Sequence, residues 1–169
     1  MKHFKKYISL LLICLVSLTG CGKVPQVEVR HFDQAMEGYF EGDVERWGHI
    51  QLLREKDHVT DSRLVMGEGL EILFLQYDSE TYADRIADIQ VTAEKNSSDY
   101  KEYHSQSRVE KTHFERFSMH VTTTNSEETQ LYVQLVRYYD AVVLVMANEK
   151  AAFEKGKDAV SEMEKLADM

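Results

Sequence analysis

The apolar positions of this chain change period several times, and each change marks an element. Phe32, Ala35, Met36, Tyr39 and Phe40 recur at the spacing of one buried helix stripe, so a helix is predicted over His31 to Trp47, ended or kinked at Gly42-Asp43. Gly48 to His58 has no clear period and reads as loop or irregular strand. Val59 to Tyr77 then reads as a hairpin, two apolar runs joined by the three-residue loop Gly67-Glu68-Gly69. The second run, Leu70-Glu71-Ile72-Leu73-Phe74-Leu75, is apolar on both faces and belongs inside a sheet.

Asp78-Ser79 precedes a helical stretch to about Lys95, with Tyr82, Ile86, Ile89 and Ala93 predicted on its buried side. Asn96 to Asp99 is a polar loop. From Val109 to Ala147 the period falls to two. Phe117, Met119 and Val121 alternate, then Leu131, Val133 and Leu135, and Val142-Val143-Leu144-Val145 is strongly β-prone. Turns are expected at Thr124 to Glu128 and at Tyr139-Asp140. Asn148 is expected to cap a last helix, which buries Phe153, Val160, Met163 and Ala167. The order α-ββ-α-βββ-α predicts an α+β domain, an antiparallel sheet with packed helices.

The first twenty residues follow a different logic. Lys2, Lys5 and Lys6 stand before an apolar run of about a dozen residues ending at Leu18, too short to span ~30 Å of hydrocarbon as a helix. The exit, Leu18-Thr19-Gly20-Cys21, resembles the lipobox of bacterial lipoproteins: an aliphatic residue, two small ones and a cysteine. The resemblance implies cleavage before Cys21 and a diacylglyceryl thioether on its sulfur, with fatty chains such as palmitate entering the bilayer. Two chains anchor stably where one binds only marginally. The expected organisation is a signal peptide at 1–20, a lipid anchor and short linker at 21–31, and one domain at 32–169. The expected address is the extracytoplasmic face of the cell membrane.

Losing the signal removes three lysines and no acids, leaving 17 basic against 29 acidic residues and a formal charge of −12. Such a chain does not suit nucleic acid, which needs clustered cations, nor a broad contact with anionic lipid. Cys14 leaves with the signal and Cys21 carries the lipid, so no thiol remains for a disulfide or for redox chemistry.

Leu70-Glu71-Ile72-Leu73-Phe74 running into Tyr77-Asp78-Ser79-Glu80, then Arg137-Tyr138-Tyr139-Asp140 before a Val-Val strand and a final helix, is similar to a group of small uncharacterised lipoproteins of Gram-positive bacteria. The turn is one residue longer than the Arg-x-Asp of that group. The resemblance spans most of 59–168. It implies a membrane-tethered α+β domain and brings no catalytic residue.

Motifs for chemistry are missing. His31, His49, His58, His104, His113 and His120 show no helical i, i+4 pair, and His113 and His120 are read as pointing to opposite faces of one strand. The acids form no calcium loop, Gly67-Glu68-Gly69 is not a phosphate loop, and no Gly-x-Ser-x-Gly occurs. Catalytic residues, metal and cofactor are accordingly expected to be none. Tyrosine is favoured at contact surfaces, and Tyr138 and Tyr139 are the candidate contact residues. The expected function is a non-enzymatic binding or interaction module of the cell envelope, whose partner is an envelope protein or a small ligand. The alternatives are a small-ligand or ion-sensing accessory subunit of a transporter or sensor, and a hydrolase with dispersed catalytic residues.

Overall fold

The computed structural model describes residues 23–40, 58–67, 69–97, 99–124 and 129–169. Helix α1 is Val29–Tyr39, strands β1 and β2 are Val59–Gly67 and Leu70–Tyr77, and helix α2 is Glu80–Lys95. Strands β3 (Tyr100–Lys111), β4 (Phe114–Thr123), β5 (Gln130–Tyr138) and β6 (Ala141–Ala147) follow, then helix α3, Lys150–Ala167. The six strands form one antiparallel sheet in the order β1-β2-β6-β5-β4-β3.

The α+β class and the placing of helices around two groups of strands stand as expected. The second group contains a further strand, β3, where the sequence suggested a polar loop at Asn96 to Asp99 and a run of strands only within Val109 to Ala147. This edge strand is exposed along almost its whole length. Neither face is buried, so no apolar alternation announces it.

The sheet is covered on both faces. One face packs Ile72, Phe74, Val136, Tyr138, Val143 and Val145 under α1 and α3, which supply Phe32, Met36, Phe153, Val160 and Met163. The other packs Leu75, Tyr77, Phe117, Met119, Val121, Val133 and Leu135 under α2. Successive side chains of a strand point to opposite faces, so β6, covered on both, is apolar at every position. Gly156 lets α3 come close to the sheet: a Cβ there would stand 2.7 Å from Val145 Cγ1.

Several boundaries move. Helix α1 starts at Val29, two residues early, with Glu28 and His31 forming a reciprocal cap in which Glu28 N–H donates to His31 Nδ1 at 3.1 Å. Val27 is 0 % exposed in the core, so the domain begins by Val27 and the expected linker to residue 31 is too long. The predicted kink at Gly42-Asp43, the stretch at Gly48 to Asp57, the 125–128 part of the expected turn, and the signal with Cys21 all lie outside the described residues. The hairpin loop has two residues, since Gly67 pairs with Leu70. On α2 the buried stripe is Ala83, Ile86, Ala87 and Val91, rotated from the expected one, and Ile89 is 52 % exposed. Tyr82 sits at the rim, stacked on His58 with ring centroids 3.5 Å apart. Asn148 does not cap α3. Its backbone N–H donates to the Gly69 carbonyl at 3.0 Å, and Glu149 takes the cap position.

Candidate binding groove

On β4 the residues that alternate with the buried Phe117, Met119 and Val121 are Arg116, Ser118, His120 and Thr122, which turn toward the α3 face of the sheet. Arg116 reaches α3, forming an ion pair with Glu164. Beyond that pair α3 leaves the corner formed by β3, β4 and β5 uncovered. The space is a groove of about 360 Å³, with Lys150, Phe153 and Glu154 of α3 as one wall and Ser105, Gln106 and Ser107 of β3 as the other.

Strand register composes the floor. His120 stands opposite Tyr132, Ser118 opposite Gln134, and Thr122 opposite Gln130. Across the other side of β4, Ser107 faces Ser118 and Ser105 faces His120. A register shift between Tyr103 and Ser105 inserts His104 as an extra residue. That bulge re-aims the His104 imidazole onto Thr122, Nε2 to Oγ1 at 2.7 Å. The Gln130 amide then joins the two histidines: its nitrogen donates to Thr122 Oγ1 at 3.0 Å and its oxygen lies 2.6 Å from His120 Nε2. An amide oxygen can only accept, so His120 Nε2 is the donor in this contact.

The result is a row of four rings crossing three strands and ending on a helix. Centroids lie 4.5 Å apart from His104 to His120, 4.1 Å from His120 to Tyr132, and 5.5 Å from Tyr132 to Phe153. Gln134 donates to Ser118 Oγ at 3.2 Å, closing the polar floor. These side chains hold one another, so the groove is shaped before any ligand arrives.

One constellation has the order of an acyl-transfer triad: Thr122 hydroxyl, His104 imidazole, Glu102 carboxylate. Its geometry is poor for that task. Thr122 is 7 % exposed and its oxygen already accepts from Gln130. The Glu102 oxygen is 3.7 Å from His104 Nδ1, beyond hydrogen-bond reach. Among the described residues no three His, Cys, Asp or Glu are grouped to hold a metal ion.

A second polar cluster lies on the α2 face and serves packing. Glu115 is held by Arg108, whose guanidinium also reaches Asp88 of α2. Arg137, its side chain 5 % exposed, pairs with Glu80 at 3.4 Å and Asp84 at 3.1 Å. His113 lies 2.6 Å from Glu80 through Nδ1. It occupies the two-residue turn between β3 and β4 with φ 63°, so it is not a strand residue facing away from His120. These contacts pin the first half of α2 to the sheet.

The candidate contact tyrosines are corrected here. Tyr138 is 0 % exposed; its position beside Val136 on the helix-covered face buries it, and its hydroxyl donates to Glu164. Burial, reinforced by the Glu164 charge, pushes its pKa well above the ordinary tyrosine value. Tyr139 is half-buried, its ring stacked on His113 at 4.6 Å. The structure thus separates the pair and brings neither to the groove. The groove residues carried one readable signal, the polar half of the β4 alternation at Ser118, His120 and Thr122, which was indistinguishable from a wet sheet face.

No family model and no curated protein matches the sequence. Among solved structures, a GTP-binding regulator from Thermotoga maritima is similar at 13% identity and a TM-score of 0.44, over 79% of this chain and 87% of that one. A protein of unknown function from Pseudomonas aeruginosa is similar at 12% identity and a TM-score of 0.35, over 72% of this chain and 93% of that one. Likeness at this level says nothing of a ligand or an activity. Among the described residues no helix is long and apolar enough to cross a membrane.

Proposed function

We propose that this chain is an extracytoplasmic lipoprotein, anchored through diacylglyceryl-Cys21, whose domain is a non-enzymatic binding module that takes its ligand in the groove beside α3. The observation that carries the binding reading is the convergence of neutral polar side chains from three strands on one preformed, ring-floored space of about 360 Å³. A concave site with few, placed polar groups is the usual form of a small-ligand site. It favours the ligand-sensing accessory form of the module over a flat docking surface. The anchor rests on Leu18-Thr19-Gly20-Cys21 after a basic, then apolar, leader.

Two substitutions test the two halves. Cys21→Ala is expected to abolish incorporation of labelled palmitate and to leave uncleaved or shed protein; unchanged labelling and membrane fractionation overturn the anchor. Ser107→Trp, on an exposed strand and facing the groove, is expected to reproduce the deletion phenotype at unchanged protein level and melting temperature. A silent Ser107→Trp overturns the groove. The Thr122–His104–Glu102 order is the one feature favouring a hydrolase. Loss of function in both Thr122→Val and His104→Gln, with Ser107→Trp silent, supports that reading instead.

A further inference from the structure

We propose that the chain pairs with a second copy of itself along β3, edge to edge about a two-fold axis, so that two sheets become one. The inference does not rest on the groove being a binding site. Among the described residues β3 has a neighbour on one side only, β4, and it is exposed from Lys101 to Lys111. Such an edge is a row of backbone N–H and C=O groups open to another strand. The two register shifts of β3 fall between Tyr100 and Ser105, and from Ser105 to Lys111 the ladder is unbroken. That stretch holds neither the proline nor the bulge that keeps an edge unpaired.

Register decides which groups face out. Lys111 and Phe114 flank the two-residue turn and exchange hydrogen bonds, and bonding to β4 then alternates along the strand. Val109, Ser107 and Ser105 bond inward, while the N–H and C=O of Glu110, Arg108 and Gln106 point outward. A second copy centred on Arg108 sets Gln106 opposite the second copy's Glu110, Ser107 opposite its Val109 and Ser105 opposite its Lys111. The three outward pairs then form about six backbone hydrogen bonds, two to each pair. Centring on Ser107 instead runs Glu110 into the bulge at His104 and loses bonds.

Charge fits the same register. No acid meets an acid in the paired stretch. Arg108 meets its own image, but its guanidinium leans back over the sheet to Glu115 at 2.6 Å and Asp88 at 3.1 Å, away from the axis. The strand carries Lys101, Arg108 and Lys111 against Glu102 and Glu110, so a chain of formal charge −9 presents here a strip without net negative charge. Two acidic copies can approach along that strip without repulsion. A two-fold pair uses the same strand from both copies and closes on itself.

Disulfide trapping in intact cells expressing the full chain tests the pairing. Ser107→Cys and Val109→Cys are carried on separate, differently tagged chains, and Gly38→Cys on exposed α1 gives the collision background. The mixed dimer is expected at least about fivefold above that background, since directly opposed positions lie within disulfide reach. Gln106→Glu sets acid against acid at both contacts with Glu110 and is expected to lower the yield about threefold. Adding Glu110→Lys reverses the sign and is expected to restore it. Gln106 and Glu110 are exposed, and melting temperatures establish that the variants fold. Gln106, opposite Met119, lies on the α2 side of the sheet, so its variants leave the groove untouched. A mixed-dimer yield at background overturns the proposal, as does a yield indifferent to Gln106→Glu. If the copies do not trap each other while Gln106→Pro, which removes one outward N–H, reproduces the deletion phenotype at unchanged melting temperature, the edge takes another protein and the second copy is refuted.

Discussion

Arg108 on the exposed edge strand β3 sits over the carboxylate of Glu115 on β4, Nε to Oε1 at 2.6 Å, and Glu115 is 1 % exposed. An outer strand thus neutralises an acid inside the sheet. Burial lowers the guanidinium pKa, but Glu115, together with Glu110 and Asp88, more than offsets that and leaves it raised. Arg108→Met strands a buried charge and is expected to cost about 2–3 kcal/mol. Adding Glu115→Leu to the same chain removes the orphan and is expected to return most of the loss. Urea unfolding of the two variants checks this, and an Arg108→Met chain as stable as the wild type would show that the pair contributes nothing.

Tyr138 makes stability fall in alkali. Its folded pKa is raised, chiefly by burial and then by Glu164, so the folded chain holds the phenolic proton more tightly than the unfolded one. That contribution is complete below the ordinary value of 10.0 and is lost as pH rises through it toward the folded pKa. Half-buried Tyr100, beside Glu94, is raised as well and adds a loss of the same sign. Tyr138→Phe is expected to be slightly less stable at neutral pH, by about 1 kcal/mol for the lost hydrogen bond, and to lose less stability between pH 9 and pH 12 (roughly the span of phenol titration). Denaturant midpoints across that span decide it; parallel curves for the two chains would refute it.

Val143 lies on β6 at 0 % exposure, between Val136 and Phe74 of the adjoining strands. Val143→Asp places a carboxylate inside an apolar cluster and is expected to destabilise by more than about 4 kcal/mol, enough to prevent folding. Circular dichroism checks this, and a cooperative melt near that of the wild type would contradict the sheet order.

Gly69 has φ 69°, and a Cβ there would stand 2.0 Å from Asn148 Oδ1. Gly69→Ala therefore meets both backbone strain and a side chain, at a cost of about 2 kcal/mol. Asn148 is exposed, so Asn148→Gly in the same chain relieves the collision but not the strain. About half the loss is expected to return, read from the shift in melting temperature. Complete recovery would mean that the backbone term is negligible.

The architecture was legible where one face is dry and the other wet, or where both are dry. The alternation at Phe117, Met119 and Val121 and the unbroken apolar run of β6 reported their layers directly. Strand β3 was hidden because both of its faces are wet. Helix α2 was turned the wrong way because Ile89 is apolar yet exposed, while the small Ala83 and Ala87 do the close packing. The groove was beyond reach for a different reason. His120 meets Tyr132, and His104 meets Thr122, through strand register and a bulge, and neither leaves a period in the chain. Tyr138 and Tyr139 misled because the strand ends between them: Tyr138 is the last residue of β5 and is buried, whereas Tyr139 lies in the turn with φ 48°, so the pair marks no shared surface.

Val27 is locked in the core at the start of α1. On the proposed anchor, only residues 22–26 separate it from the lipidated cysteine, a leash of at most ~18 Å. A domain of this size has a radius of gyration of ~15 Å, so the leash is shorter than the body it holds. The domain can roll on the bilayer but cannot roam above it. Its encounters become a two-dimensional search, confined to molecules that lie at, or thread down to, the membrane surface.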